Sequence, residues 1–198
     1  MLDSPYVRRV AISLRLLGIG FEHRPLSVFR SFEQFAAINP VVKAPTLVCD
    51  DGTVLMDSSL ILQYAQALVP AHGLWPRTPE EARRDLRLTG LALAACDKAV
   101  QIVYERTLRP PEKRHEPWLA RVRGQLWAAV AALEAELATR PLATTSAGLT
   151  QAGVTAAVTW AFLQLVLAET IVAGASPALA AHAAAAEDLA AFRALPQT

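Results

Sequence analysis

The first 67 residues alternate short apolar runs with polar breaks, a pattern typical of a small domain that mixes helices and strands. Apolar residues recur at three- and four-residue spacing from Pro5 to Leu17, and Gly18 then interrupts them, which predicts a first helix. Ser4 stands before the proline, as an N-cap serine does when proline occupies the first turn. The next segment, FEHRPL at 21–26, predicts a short strand.

The rest of this half contains two more helical signals and one hairpin signal. Each is bounded by residues whose side chains cap helices or favour turns. The resulting order is α-β-α-β-β-α, with no strand before the first helix. The first of these two helices is predicted at 31–37, opened by a capping box from Ser31 to Gln34 and ended at Asn39-Pro40. A β-hairpin of 46–49 and 53–56 follows, with a two-residue turn at Asp51-Gly52. The second of the two helices is predicted at 59–68 and is capped by Asp57-Ser58-Ser59.

A proline-rich connector at 68–78 leads into a second half that reads as helical throughout. A capping box begins at Thr78 and opens one long amphipathic helix at 80–108. The helix predicted at 118–138 carries a regular apolar stripe, and an uncharged segment at 141–168 predicts a third helix. The stripe consists of Leu119, Val122, Leu126, Val130 and Leu133.

These boundaries predict an α/β domain at 1–67, a linker at 68–78 and an all-helical bundle domain at 79–198. Hydrophobic residues make up 53% of the chain and charged residues 19%, so the chain can bury a substantial core. The formal net charge is +1, with acidic and basic residues intermixed. This charge pattern excludes the clustered basic face of a nucleic-acid-binding protein.

Cysteine, histidine and hydropathy patterns exclude further classes. Cys49 and Cys96 lack metal-binding or CxxC spacing, which favours a reducing compartment and hence the cytoplasm. Charged residues occupy the first twenty positions, where a signal peptide would have an apolar core. The segment at 141–168 is rich in Thr, Ser and Gly at its start, so we expect a buried helix and no membrane span. No metal site is expected, because ligand-like spacing is absent around His23, His72, His115 and His182.

Three motifs occur in a fixed order: SPYVRRV at 4–10, NPVVKAPTL at 39–47 and DGTVLMDSSLI at 51–61. Together they resemble the amino-terminal half of the cytosolic-type glutathione S-transferases, in particular the serine-type bacterial members, and the helical second half fits the same family. The resemblance implies a thioredoxin-like domain that binds glutathione as co-substrate, a following helical domain, and an electrophile pocket between the two. It also implies a homodimer that acts in detoxification.

The resemblance places the catalytic group at Ser4. A hydroxyl donor at the positive end of a helix would stabilise the thiolate of glutathione. Two alternatives stay open from the residues alone: Ser4 only caps the helix, or Tyr6 is the donor. A thiol-disulfide oxidoreductase is disfavoured, because serine stands where the nucleophilic cysteine would be.

The other two motifs supply the implied glutathione-binding residues. In the family the proline equivalent to Pro45 follows a cis bond, and Ala44 would offer its main-chain N–H and C=O to the cysteinyl part of glutathione. Lys43 would reach the glycyl carboxylate, or it is a solvated loop lysine. Ser58 would receive the γ-glutamyl carboxylate at a helix start, and Asp57 would face the ammonium of the same residue. A doubled N-cap is the alternative reading of that pair.

For the electrophile pocket the resemblance indicates Tyr104 and Trp160, which are otherwise core or dimer-interface aromatics. The predicted function is a glutathione transferase that activates the thiol for attack on small apolar electrophiles, or for related isomerase or peroxidase steps. The alternative is a non-catalytic protein of the same fold that binds glutathione or another protein.

The sequence departs from the family pattern at its start. The family's first strand lies in the middle of the sheet, between the strands predicted here at 21–26 and 46–49. Only three residues precede Ser4, about 10 Å of extended chain, whereas a strand usually takes about 5–6 residues. We therefore expect that the recorded start lies downstream of the true one or that the chain is truncated, with low stability and weak activity if Met1 is the true start.

A second departure lies at the start of the third helix of the second half. The family commonly has Ser/Thr-x-x-Asp there, and this chain has Thr150 followed three residues later by Gly153. Thr150 can still cap, and Leu149 with Val154 can form a hydrophobic staple. From the sequence alone, Gly153→Asp is predicted to raise the melting temperature.

Overall fold

The computed structural model forms two compact units, the first of Met1–Leu74 with Leu189–Thr198 and the second of Trp75–Asp188. The predicted division at 67–79 stays a prediction, but the last ten residues pack with the first unit and not with the helical bundle. The structure describes residues 1–70, 73–171 and 173–197, so His72 and part of the predicted linker lie outside the described residues. The helices and strands are α1 (Pro5–Leu16), α2 (Phe32–Ala36), β1 (Thr46–Val48), β2 (Val54–Met56), α3 (Ser58–Leu68), α4 (Pro79–Thr107), α5 (Glu116–Thr139), α6 (Gln151–Leu167), α7 (Pro177–Glu187) and α8 (Ala190–Arg193).

The core of the first unit forms where α1 packs against α3. Apolar side chains one turn apart on each helix meet there, as the helical spacing of both segments predicts. Leu47 and Leu55 of the antiparallel hairpin β1–β2 cover one side of this core. The buried core residues are Val10, Leu14, Ile61, Leu62 and Ala65.

The hairpin is present, but the predicted two-residue turn is wrong. The Cys49 N–H donates to the Thr53 carbonyl, which leaves three residues, 50–52, in the loop. Gly52 closes that loop at φ +84°, the left-handed conformation that such three-residue loops require. The predicted capping box at Ser31 is also wrong in detail, because α2 begins there without a hydrogen bond to the Ser31 side chain.

The strand predicted at 21–26 is not formed, and this prediction is corrected. A strand exists only when its backbone pairs with a neighbour. Here residues 21–24, Leu26 and residues 46–50 all line one cavity of about 720 Å³. The cavity therefore lies where the family resemblance puts the missing first strand. Without a central strand, the segment at 21–26 has nothing to pair with.

Filling this cavity with an added strand is expected to stabilise the first unit. Joining about five alternating Val and Thr residues in front of Met1, which lines the cavity, would give β1 a second partner. The addition would also convert the Met1 ammonium, whose pKa is lowered by burial, into a neutral amide. We expect the melting temperature, followed by circular dichroism, to rise by about 5 °C, which corresponds to roughly 2 kcal/mol for a chain of this size.

The matched control is the same added segment with proline at its centre. Proline lacks the N–H that a central strand must donate, so this variant should melt like the parent chain. Equal melting temperatures for the two fusions would contradict strand addition.

The second unit is an α-helical bundle of α4, α5, α6 and α7. The five predicted stripe positions of α5 are all buried, so this part of the pattern is confirmed. Of the predicted capping box at Thr78, the N-cap is confirmed: the Glu81 N–H donates to the Thr78 hydroxyl, and that hydroxyl donates to the Glu81 carboxylate. Of the helices described, none combines the length and apolar character needed to cross a membrane.

The start of α6 obtains its acidic partner from another helix. The Gly153 N–H donates to the Thr150 hydroxyl at 3.4 Å, so Thr150 is the N-cap as predicted. The buried Asp85 carboxylate of α4 accepts from the Ala152 N–H at 3.2 Å and from the Thr150 hydroxyl. Burial raises the pKa of this carboxyl, although both hydrogen bonds oppose the rise. Asp85 thus replaces the acid that is missing at position 153.

A buried histidine from α7 completes the same region. His182 Nε2 lies 3.0 Å from the Gly153 carbonyl oxygen, which can only accept, so Nε2 carries the proton. Nδ1 is buried and has no hydrogen-bond partner in the described part of the chain. Protonation would place a second N–H there without an acceptor. Burial accordingly lowers the pKa of His182, and the bond to Gly153 opposes the shift.

This histidine should make folding stability fall on acidification. A lowered folded-state pKa means that only the unfolded chain takes up the proton below the ordinary pKa of about 6.5. We expect the wild type to lose about 1 kcal/mol more than His182→Gln in urea unfolding between pH 7.5 and pH 5.5, because glutamine can donate to Gly153 but does not titrate. Parallel pH profiles for the two proteins would refute this assignment.

Candidate functional site

Ser4 lies at the first turn of α1. Its hydroxyl oxygen accepts from the Val7 N–H at 3.4 Å, and Pro5 occupies the first helical position, so the predicted N-cap is confirmed. The first turn of α1 contains no acidic residue, which leaves the positive end of the helix dipole uncompensated within that turn. Tyr6 occupies the second helical position. A partly exposed hydroxyl at a positive helix end suits a thiolate.

The loop that carries Lys43, Ala44 and Pro45 is held by two side chains. The buried Asn39 amide donates to the Thr46 hydroxyl at 2.9 Å, and that hydroxyl donates to the Lys43 carbonyl at 2.7 Å. The Ala44–Pro45 peptide bond is cis, as the resemblance implied. These contacts fix the main chain at the predicted cysteinyl-binding position.

Asp57 and Ser58 begin α3 beside this loop. The Asp57 backbone has φ +69°, and its carboxylate accepts from the Ser59 N–H at 2.9 Å. The other carboxylate oxygen lies 3.5 Å from the Lys43 ammonium, in a half-exposed ion pair. Such a pair contributes little stability, about 0–1 kcal/mol, but it brings two predicted site residues together. It also sets one positive and one negative group at the start of α3.

Arg9 is the residue of this site that the sequence reading missed. Its side chain is 1% exposed, and Nη1 donates to the hydroxyls of Ser58 at 3.1 Å and Ser59 at 3.2 Å. Arg9 thereby joins the helix that Ser4 begins to the helix that Asp57 and Ser58 begin. A signal was present: Arg9 is followed in α1 by three apolar residues, Val10, Ala11 and Ile12, all of which are buried.

The two predicted aromatic residues belong to the second unit and differ in exposure. Tyr104 on α4 is 43% exposed, whereas Trp160 on α6 is 6% exposed and lies in a helix that is buried over most of its length. Their role in an electrophile pocket stays a prediction. Tyr104 offers a ring to a small molecule more readily than Trp160 does.

The cysteines and histidines form no obvious reactive centre in the described residues. Cys49 and Cys96 are not joined in a disulfide, and the Cys96 sulfur lies 3.2 Å from the Thr159 hydroxyl inside the bundle. Within the described ranges, no three His, Cys, Asp or Glu side chains come close enough together to hold a metal ion.

Comparison with known protein families and curated sequences points to one group of proteins. Residues 1–73 match the family described as the glutathione S-transferase N-terminal domain. The chain is 31% identical to the uncharacterized GST-like protein YibF of Escherichia coli K12, over 68% of this chain and 66% of that protein. It is 27% identical to maleylacetoacetate isomerase of Pseudomonas aeruginosa, over 63% of each. The match therefore spans just under two thirds of each of these relatives.

Solved structures extend the likeness over nearly the full chain. A glutathione transferase family member from Pseudomonas fluorescens Pf-5, solved with bound glutathione, has a TM-score of 0.83 at 29% identity and covers 100% of this chain and 97% of that one. A structure of a family member from the same strain with bound S-(propanoic acid)-glutathione has 30% identity and a TM-score of 0.78, covering 98% and 95%. The predicted fold class, a thioredoxin-like domain followed by a helical domain, is confirmed.

Proposed function

Because the chain belongs to the glutathione S-transferase family, we propose that it binds glutathione in its first unit and activates the thiol for attack on small apolar electrophiles. The observation that carries this proposal is the position of Ser4, whose hydroxyl stands at the positive end of α1. The glutathione-bound relative at 29% identity supports the choice of ligand.

The energy required is within reach of this arrangement. A thiol with a pKa of about 8.5 must be lowered by about two units to be mostly ionised at neutral pH, which takes roughly 2.7 kcal/mol. A hydrogen bond to a charged group contributes about 1.5–3 kcal/mol, and a helix N-terminus about 0.3–1 kcal/mol. The Ser4 hydroxyl and the first turn of α1 can together supply that difference.

The remaining residues match the other charges of glutathione, a molecule with two carboxylates and one ammonium. We assign the glycyl carboxylate to Lys43 and the ammonium to Asp57. Ser58 would receive the γ-glutamyl carboxylate at the start of α3. Ala44, held next to Pro45, would pair its main chain with the cysteinyl residue. The contacts of the 39–46 loop support the role of Ala44. The Lys43–Asp57 ion pair is half-exposed and contributes little stability, so it can open when its two members bind opposite ends of glutathione.

Calorimetric titration with glutathione, followed by a conjugation assay with a model aryl halide, tests the proposal. We expect saturable binding and turnover of the aryl halide by the wild type. An isomerase or peroxidase assay extends the test to the related reactions, since one relative is a maleylacetoacetate isomerase. Absence of glutathione binding would refute the proposal.

A second candidate function is a glutathione-binding module without catalysis. The open cavity of about 720 Å³ beside β1 favours this candidate, because little packs against that side of the hairpin that follows the 39–46 loop. Glutathione binding without turnover in any of the three assays would select it over the transferase.

We further propose that the protein is a cytoplasmic homodimer. The location rests on its cysteine usage, as two unpaired cysteines suit a reducing compartment. The dimer rests on the family resemblance and on exposed apolar side chains at four-residue spacing along α3, two of which, Tyr64 and Leu68, also line the cavity beside β1. Sedimentation equilibrium showing only monomers at micromolar concentration would refute the dimer. These exposed side chains are Leu60, Tyr64 and Leu68.

A further inference from the structure

A buried guanidinium lies directly beneath the start of α3. Arg9 on α1 is 1% exposed, and Nη1 donates to the hydroxyls of both Ser58 and Ser59. Withdrawing a guanidinium from water costs several kcal/mol, so an arginine is buried where its hydrogen bonds or its charge are needed. The charge lies under the helix end that the proposed function assigns to the γ-glutamyl carboxylate.

Two physical effects follow from this contact. A serine hydroxyl that accepts from a guanidinium directs its own hydrogen elsewhere, so Ser58 and Ser59 become oriented donors. The guanidinium also adds a full positive charge to the partial positive charge of the helix N-terminus. Both effects favour an anion over a neutral group of the same shape.

We propose that Arg9 is a positioning residue of the glutathione site, which makes the start of α3 selective for a carboxylate by orienting the Ser58 and Ser59 hydroxyls. This inference rests on the proposed function, because it takes the γ-glutamyl carboxylate as the ligand of Ser58. Arginine suits the task because its guanidinium is planar and stays charged, so the two hydrogens of Nη1 reach the two hydroxyls in fixed directions.

A pair of ligands isolates this role from a general loss of stability. The first is glutathione, and the second is the analogue whose γ-glutamyl α-carboxylate is a carboxamide. We expect the wild type to bind glutathione at least about tenfold more tightly than the amide, because it holds the carboxylate by charge-assisted hydrogen bonds. Arg9→Gln should reduce this ratio to about threefold or less, raise KM for glutathione about tenfold, and leave kcat at saturating glutathione within about twofold.

Arg8 offers a matched control on the same helix. It is equally buried, but its Nε donates to the Leu195 carbonyl at 2.9 Å and its guanidinium lies over the Phe192 ring. Arg8→Gln should lower the melting temperature and keep the wild-type ratio of the two dissociation constants. Equal losses of the ratio in Arg8→Gln and Arg9→Gln would overturn the proposal.

The outcomes separate this inference from the proposed function. A wild type that binds neither ligand refutes the glutathione site and Arg9's role with it. A wild type that prefers glutathione, together with a folded Arg9→Gln that keeps the preference, overturns the role of Arg9 alone. If Arg9→Gln is unfolded, Arg9→Lys carries the test: it keeps the charge but not the planar geometry that orients the two hydroxyls. A ratio below the wild type is expected, and a wild-type ratio in that variant overturns orientation of the hydroxyls by Arg9.

Discussion

Ser4→Ala is expected to lower turnover of an electrophile by about a hundredfold while changing the dissociation constant of glutathione by less than about threefold. The hydroxyl stabilises the thiolate, and losing one donor of this kind typically costs about 10²–10³ in rate. Binding is spread over groups of the 39–46 loop and the start of α3, so most of it survives. The checks are kcat at saturating glutathione and a pH titration of the bound thiol by its ultraviolet absorbance, in which the thiol pKa should rise by about two units.

Two control variants separate catalysis from helix capping. Ser4→Thr keeps a hydroxyl and a competent N-cap, so it should retain most of the turnover that alanine loses. Tyr6→Phe removes the rival donor and should leave turnover unchanged. Undiminished turnover in Ser4→Ala would remove Ser4 from the mechanism, and a loss confined to Tyr6→Phe would transfer its role to Tyr6.

Gly153→Asp is expected to destabilise the second unit by about 3 kcal/mol, which reverses the sign predicted from the sequence alone. A Cβ atom at this position would lie 2.8 Å from a Leu149 methyl carbon, and Leu149 is itself only 3% exposed. Overpacking of this kind costs about 1–3 kcal/mol. The new carboxylate would also be buried next to the region that Asp85 already supplies with one. Thermal unfolding should show the melting temperature fall by roughly 6–12 °C.

Two further variants separate the loss of stability caused by crowding of the Cβ atom from the loss caused by the new negative charge. Gly153→Ala adds the same Cβ without a carboxylate and should cost less than aspartate, because alanine also gains about 1 kcal/mol of helix propensity. In an Asp85→Asn background, Gly153→Asp should cost about 1 kcal/mol less than in the wild type, since the two carboxylates no longer repel. A melting temperature above the wild type for Gly153→Asp would restore the capping-box interpretation.

Local signals along the chain predicted much of the fold correctly. Ser4 and Thr78 begin their helices as N-caps followed by proline, and the apolar stripe of α5 is buried as its spacing indicates. Such signals work because a cap and a helical stripe depend on residues within one or two turns. The motifs near Pro45 and Ser58 carry the resemblance to the family, and the glutathione site proposed there rests on that resemblance.

The features that the sequence did not predict depend on contacts between residues that are far apart along the chain. The segment at 21–26 is predicted to be a strand but forms none. A strand must pair with a neighbouring strand, and this segment lies beside a cavity instead. Asp85, 67 residues before Ala152, supplies the acid that caps α6, so glycine can stand at position 153. An aspartate at that position is expected to destabilise the second unit, because its Cβ would crowd Leu149.

In the candidate site, too, some features follow from short sequence motifs and others depend on the packing of separate helices. Its residue types, a serine at a helix start, a lysine before a proline and an acid before a second helix, are legible in the sequence because each belongs to a short motif. The contact of Arg9 with Ser58, across 49 residues, exists because α1 packs against α3. Packing of separate segments, which no local pattern encodes, puts that positive charge beneath the start of α3, where we propose that the carboxylate binds.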